Sequence, residues 1–166
     1  MRPVIVQHIG RRISSCGRFF MRLAGAWAPG GGRSRAGKSP GRLGPSGERL
    51  AARHLQQLGY RILHRSHRTR WGEIDLIAVD GACIVFVEVK TWTLAADGDP
   101  ALAVDADKQR RITRAALVYL KQRGLLEQPT RFDVVSIRWP SDRSGQPTLR
   151  HIRAAFEASG PGQLFG

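Results

Sequence analysis

The stretch Gly72-Glu73-Ile74-Asp75-Leu76-Ile77-Ala78-Val79-Asp80-Gly81-Ala82-Cys83-Ile84-Val85-Phe86-Val87-Glu88-Val89-Lys90 decides the fold. Two apolar runs rich in β-branched residues flank Asp80-Gly81, a tight-turn signal, so the segment predicts a two-stranded hairpin. Side chains two positions apart leave a strand on the same face, which sends Glu88 and Lys90 out together. Pairing of the two strands then brings Asp75 beside Glu88. The rest of both strands reads as buried, so the charges gather at one end of an otherwise apolar hairpin.

Two carboxylates are held close only at an electrostatic cost, and a hard divalent cation that binds both removes it. Mg²⁺ accepts one or two protein carboxylates and keeps several waters. With Mg²⁺ or Mn²⁺ between Asp75 and Glu88, the arrangement suits phosphoryl transfer, and Lys90 is placed to orient a water or to stabilise charge on the phosphate. A lone Glu-x-Lys in a strand is also what ordinary solvated alternation produces. Neighbouring segments therefore matter. Ser46-Gly47-Glu48 opens a segment with Leu50, Ala51, Leu55 and Leu58 at helical spacing, closed by Gly59. This predicts an amphipathic helix capped by Ser46, with Glu48 in its first turn. Glu48 there either complements the helix dipole or serves as a third metal carboxylate.

A second helix is predicted over roughly 105–123, with Asp105 as N-cap and an apolar stripe of Ile112, Ala115, Ala116, Tyr119 and Leu120. Cations cover much of its remaining surface. Lys108, Arg111 and Arg114, together with Arg68 and Arg70 before Gly72, are candidate phosphate-backbone contacts, the alternative being a solvated helix face. His67 is a weaker phosphate-contact candidate. Asp133, in a strand predicted over Arg131 to Trp139, reads as structural, with Arg131 or Arg111 as partner. Glu73 shares the face of Asp75 and reads as a salt-bridge partner ahead of an outer metal ligand. Trp92 is a candidate to stack on a base.

Gly47-Glu48 with Ala51 and Leu55, Gly59-Tyr60-Arg61-Ile62-Leu63, Gly72-Glu73-Ile74-Asp75-Leu76-Ile77, Phe86-Val87-Glu88-Val89-Lys90, Val104-Asp105 with Lys108 to Arg111, and Arg131-Phe132-Asp133-Val134-Val135 resemble the UPF0102 (YraN-like) family. The resemblance runs in order from about Gly44 to Phe156. It implies a predicted endonuclease branch of the PD-(D/E)xK, restriction-endonuclease-like superfamily, distantly similar to archaeal Holliday junction resolvases. The implied fold is α/β, an αβββαβ core with a mixed central sheet flanked by helices. Position by position, Asp75 matches the metal-binding aspartate, Glu88 the second metal carboxylate, Lys90 the catalytic lysine and Glu48 the helix glutamate of the resolvase-like branch. Ile74 stands where a proline often precedes the aspartate, with little effect on the chemistry. Thr91-Trp92-Thr93 stands where relatives often carry an arginine, and Trp92 does not supply the charged phosphate contact an arginine there would make.

The net charge is +14 over 166 residues. Nine of the 27 Lys/Arg and none of the 13 acids precede Glu48, which leaves 18 cations against 13 acids, or +5, for the rest. A moderately basic body favours nucleic acid over an acidic small molecule, and the family resemblance implies that the nucleic acid is DNA. Ten of the nineteen glycines fall by residue 47. Residues 1–45 thus read as a disordered basic arm, with a targeting peptide or an early-assigned start as alternatives. Residues 46–158 read as the nuclease-like domain and 159–166 as a flexible tail. No stretch suits a membrane span, and Cys16 and Cys83 suggest neither disulfide nor zinc site, which points to a reducing, cytoplasmic setting. Two function classes result: a metal-dependent DNA endonuclease, or a non-enzymatic module that binds nucleic acid or a partner on the same fold. By analogy with resolvases, a junction-cutting member would need two active sites and so a homodimer.

Overall fold

The computed structural model describes residues 43–93, 104–141 and 145–159. The basic arm and most of the C-terminal tail therefore lie outside the described residues. The elements run α1 (Leu43–Gln57), β1 (Arg61–Thr69), β2 (Gly72–Asp80), β3 (Cys83–Thr93), α2 (Ala106–Gln122), β4 (Thr130–Trp139) and β5 (Thr148–Phe156). The expected αβββαβ order is present, with one further strand. The sheet has five strands in the order β1-β2-β3-β4-β5. It is mixed: β3 and β4 are parallel, the other pairs antiparallel. The parallel pair needs a crossover, and α2 supplies it.

The central hairpin forms as read. Asp80 pairs with Cys83 across Gly81-Ala82, and Gly81 takes φ 59°, the left-handed conformation that the turn requires. Side-chain alternation then divides the sheet into two faces. Leu76, Ala78, Val85, Val87, Val135 and Ile137 pack with Ala51, Ala52 and Leu55 of α1. Phe86, of opposite parity, meets Tyr119 of α2 edge-on at 5.9 Å and stacks on Phe132 at 5.6 Å. The two helices thus cover opposite faces, and Glu88 and Lys90 share the Phe86 side by period-two counting.

The expected Ser46 cap is corrected. Helix α1 begins at Leu43, so Ser46 lies inside it and its hydroxyl accepts from Arg49 at 3.0 Å. Glu48 consequently lies beyond the first turn, which contains no acid. The physical reason is Pro45: proline suits the opening turn, where its missing N–H has no partner to lose, so the helix starts before Ser46. The expected cap at Asp105 is present, its side chain accepting the Lys108 N–H at 2.7 Å. Ser159, where the tail was expected to begin, donates its N–H to Thr113 on α2 at 3.2 Å. Among the described residues no helix is long and apolar enough to cross a membrane.

Gly47 sets how closely α1 approaches β3. A Cβ at this position would lie 2.7 Å from Thr91 Cγ2 and 3.1 Å from its Oγ1. Thr91 is β-branched and cannot swing freely aside. Gly47→Ala is therefore expected to lose stability by roughly 1–2 kcal/mol, since overpacking outweighs alanine's better helix propensity. Thr91→Ala in the same chain should recover most of it in thermal melts. A Gly47→Ala protein that melts higher than wild type would overturn the close-approach account.

Candidate functional site

Asp75 and Glu88 stand one position beyond the last hairpin rung, Leu76 with Val87. Where the rungs stop, the Asp75 carboxylate takes a backbone donor instead, Oδ2 accepting the Val89 N–H at 2.7 Å. On its other side Asp75 faces Ser66, which sits between the rungs Arg65–Leu76 and His67–Ile74 with φ 48°. A non-glycine residue in that region is uncommon and stores strain. The Ser66 hydroxyl donates to Glu48 Oε2 at 2.7 Å, which ties α1 to the sheet beside Asp75.

Glu88 is 4% exposed. Its Oε1 is shared by Lys90 Nζ at 3.2 Å and Lys108 Nζ at 3.1 Å. Its Oε2 is buried with no hydrogen-bond partner. The second lysine is there because Asp105 caps α2: the cap fixes where the helix starts, and Lys108 lies one turn in. The Lys108 N–H, given to Asp105, also holds that carboxyl below its ordinary value.

Burial first, and then the charge of Glu88, push Asp75 from an ordinary 3.8 up to about 7. The Val89 N–H and the Lys108 charge pull the other way without prevailing, and Glu48 adds to the push. A raised folded value means the metal-free fold holds this proton better than the unfolded chain does. Stability is then full below the ordinary value and is lost as pH rises from about 4 to 7. The ceiling on this loss is on the order of 4 kcal/mol. Asp75→Asn keeps an acceptor for Val89 and removes the charge. Metal-free Asp75→Asn should therefore be more stable than wild type by about 2 kcal/mol at pH 8, and the gap should close at pH 4. Melts at both pH values in EDTA check this, and equal gaps at the two would refute it.

The sequence-derived candidates are sorted by these contacts. The structure brings Asp75, Glu88, Lys90 and Lys108 together, with Glu48 adjacent. Lys108, read from sequence as a phosphate contact, lies on Glu88. Arg68 pairs with Glu73 at 3.1 Å, so Glu73 is a salt-bridge partner. Arg70 and Arg114 lie over the Trp71 ring, at 4.9 and 5.5 Å from its centre, and Arg111 borders Gly72. Among the described residues no three His, Cys, Asp or Glu side chains group closely enough to hold a metal. Any metal ligation would rest on the pair, and two carboxylates are what Mg²⁺ commonly takes from a protein. Trp92 donates its ring N–H to Ser136 at 3.1 Å and is half-buried. Sequence reading missed Ser66 and Trp71. A tryptophan next to an arginine just before the glycine of a predicted strand was the available signal for Trp71, and Ser66 offered none.

Fold and site together define an α/β domain that presents two carboxylates and two lysines where a central β-hairpin parts. The model described as "Uncharacterised protein family UPF0102" matches residues 47–137. A UPF0102 protein of Geobacter sulfurreducens is 49% identical over 115 residues, covering 69% of this chain and 88% of the relative. Another, from Symbiobacterium thermophilum, is 49% identical over 117 residues, 70% of this chain and 98% of its own. One from Rhodococcus jostii is 46% identical over 114 residues, 69% and 95%. This chain belongs to the UPF0102 family.

Proposed function

We propose that the protein is a metal-dependent endonuclease that hydrolyses phosphodiester bonds in DNA, with Asp75 and Glu88 holding Mg²⁺ or Mn²⁺. The observation that carries the reading is Glu88 Oε2, buried and partnerless beside a second carboxylate. A buried unsatisfied carboxylate oxygen costs about 1–3 kcal/mol or more, and a hard cation is the group these oxygen donors fit. When bound, such a cation polarises a phosphate oxygen. Lys90, about one-third exposed, reaches solvent from the same point and orients the attacking water or offsets charge on the phosphate. Lys108 holds Glu88 in place from the helix. Glu48, steadied by Ser66, is a water-mediated ligand at the edge of the site. The resemblance to the PD-(D/E)xK superfamily supports the same roles.

One observation favours a second reading, a binding module without catalysis: both lysines already pair with Glu88, so its charge is balanced without a metal. Cleavage separates the two. Labelled linear, single-stranded, flapped and four-way-junction DNAs are incubated with the protein in Mg²⁺, Mn²⁺ or EDTA, and its oligomeric state is measured alongside. Cleavage of any substrate that EDTA abolishes sustains the nuclease. Binding without cleavage under either cation leaves the module. Thermal melts add a readout independent of activity: Mg²⁺ should raise the melting temperature of wild type and leave that of Asp75→Asn unchanged.

A further inference from the structure

We propose that Trp71 is a stacking platform for an unpaired base, so that the nucleic acid bound here is single-stranded beside the cleavage site. The inference deepens the proposed function and rests on it for the direction in which the strand leads. Trp71 and Arg70 form the two-residue turn between Thr69 and Gly72, which pair at the tip of the β1–β2 hairpin. The turn is braced from within: the Thr69 hydroxyl accepts the Trp71 N–H at 3.1 Å and donates to the Gly72 carbonyl at 3.1 Å. Gly72 has φ 143°, a value that a side chain at this position would strain. A rigid tip therefore holds the indole out.

Trp71 is 38% exposed, the only exposed aromatic ring among the described residues. A single exposed apolar side chain is common, so exposure alone carries little. Its neighbours carry more. Arg70 and Arg114, both exposed, lie over the ring at 4.9 and 5.5 Å. Solvated contacts of this kind are weak, and a base can displace one of them while the guanidinium turns to the adjoining phosphate. Lys108, Arg111 and Arg114 follow one another at steps of three along α2, from the Glu88 contact to the Trp71 ring. Six residues of helix span about 9 Å, or two to three nucleotides at ~3.4 Å of rise per strand. One strand leading from Glu88 along Arg111 and Arg114 would reach the indole a few nucleotides from the hydrolysed phosphate. In a duplex both faces of every internal base are already stacked, so only an unpaired base can use the ring.

The test is equilibrium binding, in EDTA, of a short fluorescein-labelled single strand and of the blunt duplex of the same sequence. Trp71→Ala should weaken single-strand binding about tenfold and duplex binding less than about twofold, whereas Trp71→Phe should keep most of the affinity. Unchanged melting temperatures establish that the variants fold. Equal losses on the two oligonucleotides, or no loss on either, overturn the platform. Wild-type protein that binds neither overturns both the platform and the nucleic-acid reading. Selective single-strand loss in a protein that never cleaves removes the nuclease step and leaves the platform standing.

Discussion

Glu88→Gln is expected to lose metal-dependent cleavage by about 10³-fold or more, while binding DNA at least as tightly as wild type. The size follows from the charge removed: a metal supplies several kcal/mol of transition-state stabilisation, and ~1.4 kcal/mol is tenfold in rate. Gln has the shape of Glu and keeps an acceptor for Lys90 and Lys108, so the packing around a 4%-exposed side chain is preserved. What disappears is one negative charge facing a polyanion. Binding should tighten, or stay level, and weaken with salt as a phosphate-driven interaction does. Lys90 and Lys108 are each about one-third exposed and can turn their freed charge to water. Full cleavage by a folded Glu88→Gln protein would remove Glu88 from the site. Loss of binding in step with cleavage would instead make it a substrate-positioning residue.

What the sequence disclosed was local. The Asp80-Gly81 turn and the apolar runs around it specify the hairpin, and period-two counting puts Glu88 and Lys90 on one face. The Asp105 cap was equally plain, because a cap is read from a few adjacent residues. The Ser46 cap failed at the same level: two local signals competed, and Pro45 in the opening turn prevailed over a serine one residue later. Contacts between distant segments were not legible. Lys108 meets Glu88 across 20 residues, Ser66 reaches Glu48 from another element, and Arg114 comes to Trp71 from the crossover helix. None of these leaves a period in the sequence. They depend on how α1 and α2 seat on the two faces, which side-chain packing decides.

The second large effect lies on the other face of the sheet, where Asp133 of β4 pairs beside Val87 of β3. Asp133→Ala is expected to cost about 3–5 kcal/mol, the range for leaving buried partners of an ion pair unpaired. Domains of this size have only ~5–15 kcal/mol in total, so the melting temperature should fall by about 10–20 °C. Asp133 is fully buried. Its Oδ1 accepts from Arg131 and from the Ala154 N–H, each at 3.0 Å, and Oδ2 lies 2.9 Å from His151 Nε2. Arg131 continues to Asp80 at 2.9 Å and to the Tyr60 hydroxyl at 2.6 Å. One carboxylate thus joins β4 to β5, where Ala154 takes φ 49° and the β4–β5 register shifts between Phe132 and Val134. Burial opposes the charge, but the His151, Arg131 and Ala154 hydrogen bonds hold the carboxyl below its ordinary 3.8. A depressed value contributes stability that is full above 3.8 and is lost as pH falls through the lower folded value. The margin of wild type over Asp133→Asn should accordingly shrink as pH falls below about 4. Because Asp133 shares the α1 face with Val135 and Ile137 whereas Glu88 lies on the α2 face, a folded Asp133→Asn protein should keep the Mg²⁺-induced rise in melting temperature. An Asp133→Ala protein melting within 2–3 °C of wild type would mean that water replaces the carboxylate and that β5 is held by its backbone ladder alone.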